Sequence, residues 1–169
     1  TDRDAWVRDL HQLKTDLFLR IIDSGELQLR PGVARLIDEA IAGGVTLAVC
    51  STSNERAVNL IVNRLLGPER RRHFGAILAG DVVSRKKPDP EIYLKCLQAL
   101  NITSAEAVVV EDSRVGLMAA MAAGIACLVT VNGYTALEDT SGADLVVTEL
   151  GDPPGVQVTL ETVRGLLEQ

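Results

Sequence analysis

Apolar residues recur along this chain with two different spacings, and these spacings predict where helices and strands lie. Over residues 3–24 they return every three or four positions, from Trp6 to Ile22, which is the spacing of an amphipathic helix. From residue 45 onward, short continuous apolar runs alternate with helical patterns. Runs of Val, Ile, Leu and Ala are typical of parallel strands covered on both faces. The pattern therefore predicts an α/β fold with a Rossmann-like parallel sheet.

Turn and cap residues predict where these elements begin and end. Glycine at Gly25 and at Gly43 marks the C-terminal ends of the first two helices. Residues 25–31 are the expected connector, a candidate hinge. Thr52 and Glu55 have the spacing of a capping box. Asp89-Pro90 is the expected start of one helix, and Gly67-Pro68 is the expected end of another. The expected strands cover 45–50, 76–79, 107–111, 125–131 and 145–147. The expected helices cover 3–24, 36–41, 54–66, 90–100, 114–123 and 158–167.

Polar clusters follow three of the apolar runs. In an open α/β sheet, ligands bind beyond the carboxyl ends of the strands, so the clusters are expected to meet at one edge. A hydroxyl group, a lysine and a carboxylate pair at that edge could bind one phosphate and one metal ion. The residues are Ser51, Thr52 and Asn54 after the first run, Lys87 after the second, and Glu111 with Asp112 after the third.

The carboxylate pair is the strongest candidate for a metal site. Glu111 and Asp112 offer the hard oxygen ligands that Mg²⁺ takes, usually one or two carboxylates with water and phosphate. Adjacent side chains point to opposite sides, so one is expected to ligate directly and the other through water or a hydrogen bond. The alternative is that Asp112 only caps the helix that begins at Ser113.

The other two clusters also have alternatives. Hydroxyl and amide groups beside the free N–H groups of a helix start favour anion binding at Ser51, Thr52 and Asn54. The alternative is ordinary helix capping by Thr52 or Ser53. Lys87 could neutralise a phosphoryl oxygen, or it could lie on the surface as most lysines do.

Composition and charge restrict the partners. A net charge of −6 and a pI near 4.9 argue against nucleic acid and against an anionic membrane surface. The stretch 117–131 is shorter than the roughly 18 apolar residues of a membrane span. Cys50, Cys96 and Cys127 form no Cys-x-x-Cys pair, which favours reduced buried thiols in an intracellular compartment. No phosphate-binding glycine loop, dinucleotide fingerprint or serine nucleophile elbow is present.

Taken in order, the three clusters resemble a known set of motifs. Ser51, Lys87-Pro88 and Glu111-Asp112-Ser113 resemble the second, third and fourth motifs of the haloacid dehalogenase superfamily. The runs 87–93 and 108–113 look like its β-phosphoglucomutase-like branch. A closer resemblance is to CbbY-type sugar-bisphosphate phosphatases of plants and algae; the segments that carry it are 29–37, 48–55, 66–70, 80–83 and a His-x-x-Lys-Thr element at 11–15.

This resemblance implies a function and a setting. It implies Mg²⁺-dependent hydrolysis of xylulose 1,5-bisphosphate, an inhibitory by-product of Rubisco, to xylulose 5-phosphate. The implied setting is the chloroplast stroma in a plant or alga and the cytoplasm otherwise, with a monomeric protein and a small sugar phosphate as partner. The implied roles are catalysis by Lys87 and Ser51, binding of phosphate and substrate by Ser51, Thr52, Asn54, Lys87, His11 and Lys14, and binding of Mg²⁺ by Glu111 and Asp112.

One family element has no counterpart in the sequence. Family members carry an Asp-x-Asp motif after their first strand, whose first aspartate forms a phospho-aspartyl intermediate and whose second acts as acid and base. That strand would lie between 45–50 and 107–111. We therefore expect 1–24 to be the last part of a helical cap, 25–169 to be an incomplete core, and the nucleophile to lie on an upstream segment. We expect no ladder between the two flanking strands and no activity from this chain alone.

Two other functions remain open on the sequence. A sugar-phosphate mutase of the β-phosphoglucomutase type shares the same motifs. A non-catalytic phosphate-binding module would keep the phosphate clusters without a nucleophile.

Overall fold

The computed structural model describes residues 2–25 and 27–168, and the side chain at position 11 lies outside this description. Helices and strands alternate along it, which confirms the predicted α/β fold. The helices are α1 (Arg3–Ser24), α2 (Val33–Ala42), α3 (Glu55–Ile61), α4 (Gly67–Arg71), α5 (Glu91–Leu100), α6 (Arg114–Ala122) and α7 (Leu160–Gly165). The strands are β1 (Leu47–Cys50), β2 (Phe74–Leu78), β3 (Val108–Glu111), β4 (Ala126–Thr130) and β5 (Leu145–Val147).

The segment after β1 differs most from the prediction. The helix expected over 54–66 is α-helical only to Ile61 and continues as a π-helix over Val62–Leu66. Gly67-Pro68, expected to end the helix, instead connects it to α4. Gly67 has φ 79°, a conformation that favours glycine, and proline suits the first turn of the next helix. The structure also has short 3₁₀ turns over Ser104–Glu106 and Leu166–Glu168, which the sequence pattern did not predict.

The strands form two separate parallel ladders. β1 pairs with β2, and Val49 lies beside Ile77. The other ladder has the order β3-β4-β5, with Val109 beside Cys127. Within the described residues no ladder joins β1 to β3, as the sequence led us to expect. The sheet is therefore interrupted between the two strands whose ends carry Ser51 and Glu111.

Burial is deepest around β4 and shallower beside the gap. Cys127, Leu128 and Val129 of β4 are fully buried, and α6 packs close to them because it presents alanines such as Ala119 to the sheet. Fully burying a Leu or Val side chain contributes about 1.5–3 kcal/mol, so the buried residues of β4 stabilise the fold. Val110 of β3, by contrast, is 45% exposed. The covered part of the sheet thus supports an open cleft next to it.

Helix α1 lies against α3 and presents two different faces. Leu19 and Ile22 are buried, while most of its large apolar side chains are exposed: Trp6, Val7, Leu10, Leu13, Leu17, Phe18 and Ile21. None of the helices in the described residues combines the length and hydrophobicity that crossing a bilayer requires.

The connector between α1 and α2 is fixed to the core at its C-terminal end. Arg30 donates to the Thr130 carbonyl and hydroxyl oxygens at 3.0 Å, to the Val131 carbonyl at 2.8 Å and to the Thr148 carbonyl at 2.7 Å. Gly32 donates its N–H to the Asp152 carboxylate at 2.9 Å. The connector is therefore anchored to the core at Arg30 and Gly32, and the hinge over 25–31 stays a prediction.

Replacing Arg30 by methionine is expected to lower the free energy of unfolding by about 2–3 kcal/mol. The change leaves the carbonyl acceptors at the ends of β4 and β5 without their donor, and Thr130 among them is buried. Urea unfolding monitored by circular dichroism measures the effect. Arg72→Met is the control, because Arg72 pairs with Glu69 in solvent and should contribute less than about 1 kcal/mol. Equal losses in the two variants would contradict the anchoring role.

Candidate active site

The carboxyl ends of β1 and β3 border a cavity of about 560 Å³ at the gap between the ladders. We call it the first cavity. Its lining includes Ser51, Thr52, Lys87, Glu111 and Asp112, so the structure brings residues of all three predicted clusters together. Parallel strands point their carboxyl ends the same way, which is why clusters far apart in sequence meet here.

Lys87 bridges the two ladders across the gap. Its Nζ donates to the carbonyl oxygen of Cys50, at the end of β1, at 2.9 Å and to Oε1 of Glu111, at the end of β3, at 2.5 Å. Its side chain is only 12% exposed, so the surface alternative for this lysine is wrong. An ammonium group has three donors, and two are used by these bonds. The Lys87-Pro88 peptide bond is cis.

The Glu111 carboxylate faces the protein interior. Oε1 accepts hydrogen bonds from Lys87 and from the Tyr93 hydroxyl. Tyr93 is buried, and its ring lies under the Lys87 ammonium, which is 4.6 Å from the ring centroid. Burial, and then the negative charge of Glu111, raise the pKa of Tyr93 far above its usual range, so its hydroxyl stays protonated and donates. Gly116 of α6 packs against the same carboxylate with no room for a side chain.

The Asp112 side chain is more exposed than that of Glu111. It is exposed and lines the first cavity, and no hydrogen bond or ion pair of its carboxylate occurs within the described part of the chain. The helix-cap alternative for Asp112 is wrong, because Ser113 caps α6 by accepting from the Gly116 N–H at 3.3 Å. The Asp112 carboxylate is therefore available to a cation.

The polar cluster after β1 divides between two roles. Ser51 remains at the end of β1, where its N–H donates to the Leu78 carbonyl at 2.9 Å. The Asn54 carboxamide oxygen accepts from the N–H groups of Arg56 and Ala57 at 3.0 and 3.3 Å, so Asn54 is the N-cap of α3. The capping box predicted for Thr52, and the alternative cap by Thr52 or Ser53, are wrong.

A second cavity of about 880 Å³ lies between α1 and the loops that follow β1 and β2. Lys14 and Asn54 line this second cavity and do not line the first. Thr52 and Ser53 line both, so the two cavities share a wall. The predicted site residues are thus distributed over two neighbouring cavities, and the side chain of His11 lies outside the described residues.

Two carboxylates at the first cavity could hold a magnesium ion. Asp112 supplies one accessible carboxylate, and Glu111 supplies a second whose Oε1 is already hydrogen-bonded. Within the described residues, no group of three or more His, Cys, Asp and Glu side chains could surround a metal. Mg²⁺ commonly takes one or two carboxylates and completes its shell with water and phosphate, so this pair fits its chemistry.

Three residues near the first cavity were not predicted from the sequence to belong to the site. Arg30 and Thr130 line it, and the Thr130 hydroxyl also donates to the Glu111 carbonyl oxygen at 3.3 Å. Tyr93 lies beneath it. A tyrosine on the apolar face of a helix is a usable signal, because a buried hydroxyl normally has a hydrogen-bond partner. Nothing local in the sequence indicates that Arg30 reaches Thr130.

Cys50 contributes its backbone carbonyl to this arrangement, but within the described residues no cysteine thiol is hydrogen-bonded to Lys87, Glu111 or Tyr93. All three are free thiols; Cys96 and Cys127 are buried and Cys50 is half-buried. The interaction between the Cys50 and Cys96 thiols raises the pKa of Cys50, and burial raises it further. The same interaction lowers the pKa of Cys96, against the opposing effect of burial. Burial raises the pKa of Cys127 to about 12.

Comparison with known proteins assigns this arrangement to a family. The family model of the haloacid dehalogenase-like hydrolases matches residues 3–124. The chain is 50% identical, over 99% of its length and 52% of the relative's, to a CBBY-like protein of Arabidopsis thaliana. It is 40% identical to protein CbbY of Cereibacter sphaeroides, over 90% of the chain and 68% of that protein. The chain thus spans about half the length of the Arabidopsis relative.

Solved structures agree with these sequence relatives. CbbY from Rhodobacter sphaeroides in complex with phosphate superposes with a TM-score of 0.83 and 37% identity, over 94% of this chain and 68% of that chain. A mutant of the same protein in complex with xylulose-(1,5)bisphosphate gives the same TM-score and identity, over 93% and 68%. A β-phosphoglucomutase from Clostridium difficile, with a TM-score of 0.71 and 23% identity over 89% of this chain and 61% of its own, shares the fold.

Proposed function

We propose that this protein is a phosphatase acting on a sugar bisphosphate, because the chain belongs to the haloacid dehalogenase-like hydrolases. The proposed reaction converts xylulose 1,5-bisphosphate to xylulose 5-phosphate. The observation that carries the proposal is the first cavity, where Ser51, Lys87 and Asp112 meet at the ends of two ladders. A relative that is 37% identical binds xylulose-(1,5)bisphosphate, which supports this substrate.

In this proposal, Lys87 and Ser51 bind the phosphoryl group that is transferred. Lys87 is held in place by Cys50 and Glu111 before any ligand arrives, so little reorganisation is needed when charge develops on the phosphoryl oxygens. The Ser51 hydroxyl and the N–H groups beside it offer further donors. Thr52 lies between the two cavities and could contact either end of the substrate.

Asp112, with Glu111 beside it, would hold Mg²⁺. When bound, the ion would neutralise charge on the phosphoryl oxygens. Asp112 is the direct ligand in this proposal because its carboxylate is exposed on the wall of the first cavity. Glu111 would contribute mainly by fixing Lys87 and the backbone of this loop.

The nucleophile would be an aspartate on an upstream segment of the same protein. Glu111 and Asp112 are the carboxylates on the wall of the first cavity within the described residues, and both have other roles in the proposal. The interruption between β1 and β3 supports a strand from elsewhere entering the sheet there. The first aspartate of its Asp-x-Asp motif would attack phosphorus as the bond to the sugar oxygen breaks, and the second aspartate would protonate that oxygen. The second aspartate would then take a proton from the water that hydrolyses the phospho-aspartate and releases inorganic phosphate.

The rest of the chain fits a cap and a core. We assign residues 1–24 to the last part of a helical cap and 25–169 to the core. Lys14 and Asn54, in the second cavity, would contact the part of the substrate that does not react. We propose the same role for His11 from the sequence alone. The protein would be monomeric and would work in the chloroplast stroma of a plant or alga, or in the cytoplasm otherwise.

The test uses the full-length protein that contains this chain, xylulose 1,5-bisphosphate and Mg²⁺. Phosphorus NMR should show inorganic phosphate and xylulose 5-phosphate, and Asp112→Asn should lower kcat by at least about 100-fold because it removes a charged metal ligand. Glu69→Gln, a change in an exposed ion pair of α4, should leave the rate unchanged.

Three outcomes would contradict parts of this proposal. Undiminished turnover by Asp112→Asn would exclude its metal role. An isomerised sugar phosphate without free phosphate would indicate a mutase. Full activity from residues 1–169 alone would exclude an upstream nucleophile.

A further inference from the structure

We propose that Tyr93 is a positioning residue, which fixes where the Lys87 ammonium and the Glu111 carboxylate stand at the edge of the first cavity. This inference rests on the proposed function, because it takes Lys87 as the group that binds the phosphoryl oxygens. Tyr93 does not line the first cavity and is buried, so its effect on the reaction is exerted through these two neighbours.

One side chain contacts both members of the ion pair. The Tyr93 hydroxyl donates to Oε1 of Glu111, the same oxygen that accepts from Lys87. The face of the Tyr93 ring lies 4.6 Å from the Lys87 ammonium, within the range of a cation–π contact. Tyr93 sits in the first turn of α5, which packs on β1 and β2, so the ring and hydroxyl are carried by a rigid element.

A lysine at this place needs such support. Its ammonium is a point charge on a flexible four-carbon stem, so its position depends on the groups around it. Here three groups surround it: the Cys50 carbonyl, the Glu111 carboxylate and the Tyr93 ring. The first is backbone and therefore fixed, whereas the carboxylate can rotate unless another donor defines its direction.

The Tyr93 hydroxyl supplies that donor. A carboxylate torsion is broad and roughly two-fold, so a bond from Lys87 alone would let the pair move together. Gly116 closes the side of the carboxylate toward α6, and Tyr93 fixes Oε1. A phenylalanine would fill the same space and keep the ring, but it would remove the donor to Oε1. The hydroxyl is therefore the part of this side chain that positions the pair.

The test compares Tyr93→Phe with Tyr134→Phe, which changes the other tyrosine of the chain, a fully exposed one. In the full-length protein, Tyr93→Phe should lower kcat on xylulose 1,5-bisphosphate about 10-fold with KM changed less than about threefold, as expected for one lost hydrogen bond to a charged group. Tyr134→Phe should leave both constants unchanged. An unchanged kcat, or a change in KM alone, would overturn the positioning role.

A second measurement does not depend on the substrate. In this chain labelled with ¹³C-lysine, the ε-methylene protons of Lys87 should be shifted upfield by the Tyr93 ring, and Lys87→Arg assigns the signal. Tyr93→Phe should reduce that shift, because the ammonium moves, and Tyr93→Leu should abolish it. An identical shift in the wild-type chain and in Tyr93→Phe would overturn the inference even if the full-length protein hydrolyses the bisphosphate.

The two measurements separate the inference from the proposed function. If the unmodified full-length protein releases no phosphate from xylulose 1,5-bisphosphate, the proposed function fails, and the lysine signal alone decides whether Tyr93 fixes the pair. If Tyr93→Phe only lowers the thermal midpoint while kcat and the lysine signal stay unchanged, Tyr93 has a purely structural role and the inference is wrong.

Discussion

Lys87→Met is expected to lower the free energy of unfolding of this chain by about 3–5 kcal/mol. Methionine keeps most of the length of the lysine stem but removes the charge. The Glu111 carboxylate, whose side chain is only 11% exposed, would then stay in the interior without a counter-charge. The loss also removes the bond to the Cys50 carbonyl, through which Lys87 links the two ladders. In the full-length protein the same change should lower kcat by about 10²–10³-fold.

Urea unfolding of three matched variants checks this expectation. Lys86→Met changes the neighbouring lysine, whose ion pair with Asp81 is exposed, and should cost less than about 1 kcal/mol. The double variant Lys87→Met with Glu111→Gln should recover part of the loss, because no unpaired charge remains buried. If Lys87→Met is no more harmful than Lys86→Met, the bridge across the gap does not stabilise the fold.

Gly116→Ala is expected to destabilise the chain, although alanine is normally the better helix former. Gly116 has an ordinary helical conformation in α6, so alanine alone would add about 1 kcal/mol of helix stability. Its Cβ, however, would overlap the Glu111 carboxylate. That carboxylate can give way only by leaving Lys87 and Tyr93. We expect a net loss of about 1–3 kcal/mol, as for other overpacked interiors.

Gly165→Ala is the control for this change, because Gly165 also lies in a helix and has open space around it. It should leave the urea midpoint unchanged or raise it. Adding Glu111→Asp to Gly116→Ala shortens the acidic side chain and should make the two changes less harmful together than their sum. A Gly116→Ala chain as stable as Gly165→Ala would show that the carboxylate moves at no cost.

The edge of the sheet that carries the candidate site could be predicted from the sequence, for a local reason. A strand such as 107–111 shows its end where the apolar run stops, and Glu111 and Asp112 stand at that point. The alternation of strands and helices then places all such ends on one side. Lys87 could also be predicted to belong to this edge, because Pro88 and the helix start at 89–90 mark its place in the loop.

The partners within the site could not be predicted, because they depend on contacts between distant parts of the chain. Lys87 bonds to Cys50, 37 positions away, and Arg30 bonds to Thr130, 100 positions away. The sequence indicated that Glu111 and Asp112 point apart, but not which of them faces the interior. That choice follows from Tyr93, whose hydroxyl needs an acceptor. The cap of α3 was assigned to Thr52 rather than Asn54, because both residue types cap helices and the sequence alone does not fix where the helix begins.

The interruption in the sheet also has a consequence for handling the protein. Each strand beside it carries backbone N–H and C=O groups that no ladder in the described residues satisfies, next to apolar side chains such as Val110. Such an edge is a template for any extended apolar peptide, including one from a neighbouring molecule. Concentrated solutions of this chain should therefore be prone to aggregate through added β-structure, and a short strand-forming peptide that fits the gap should act as a solubilising agent.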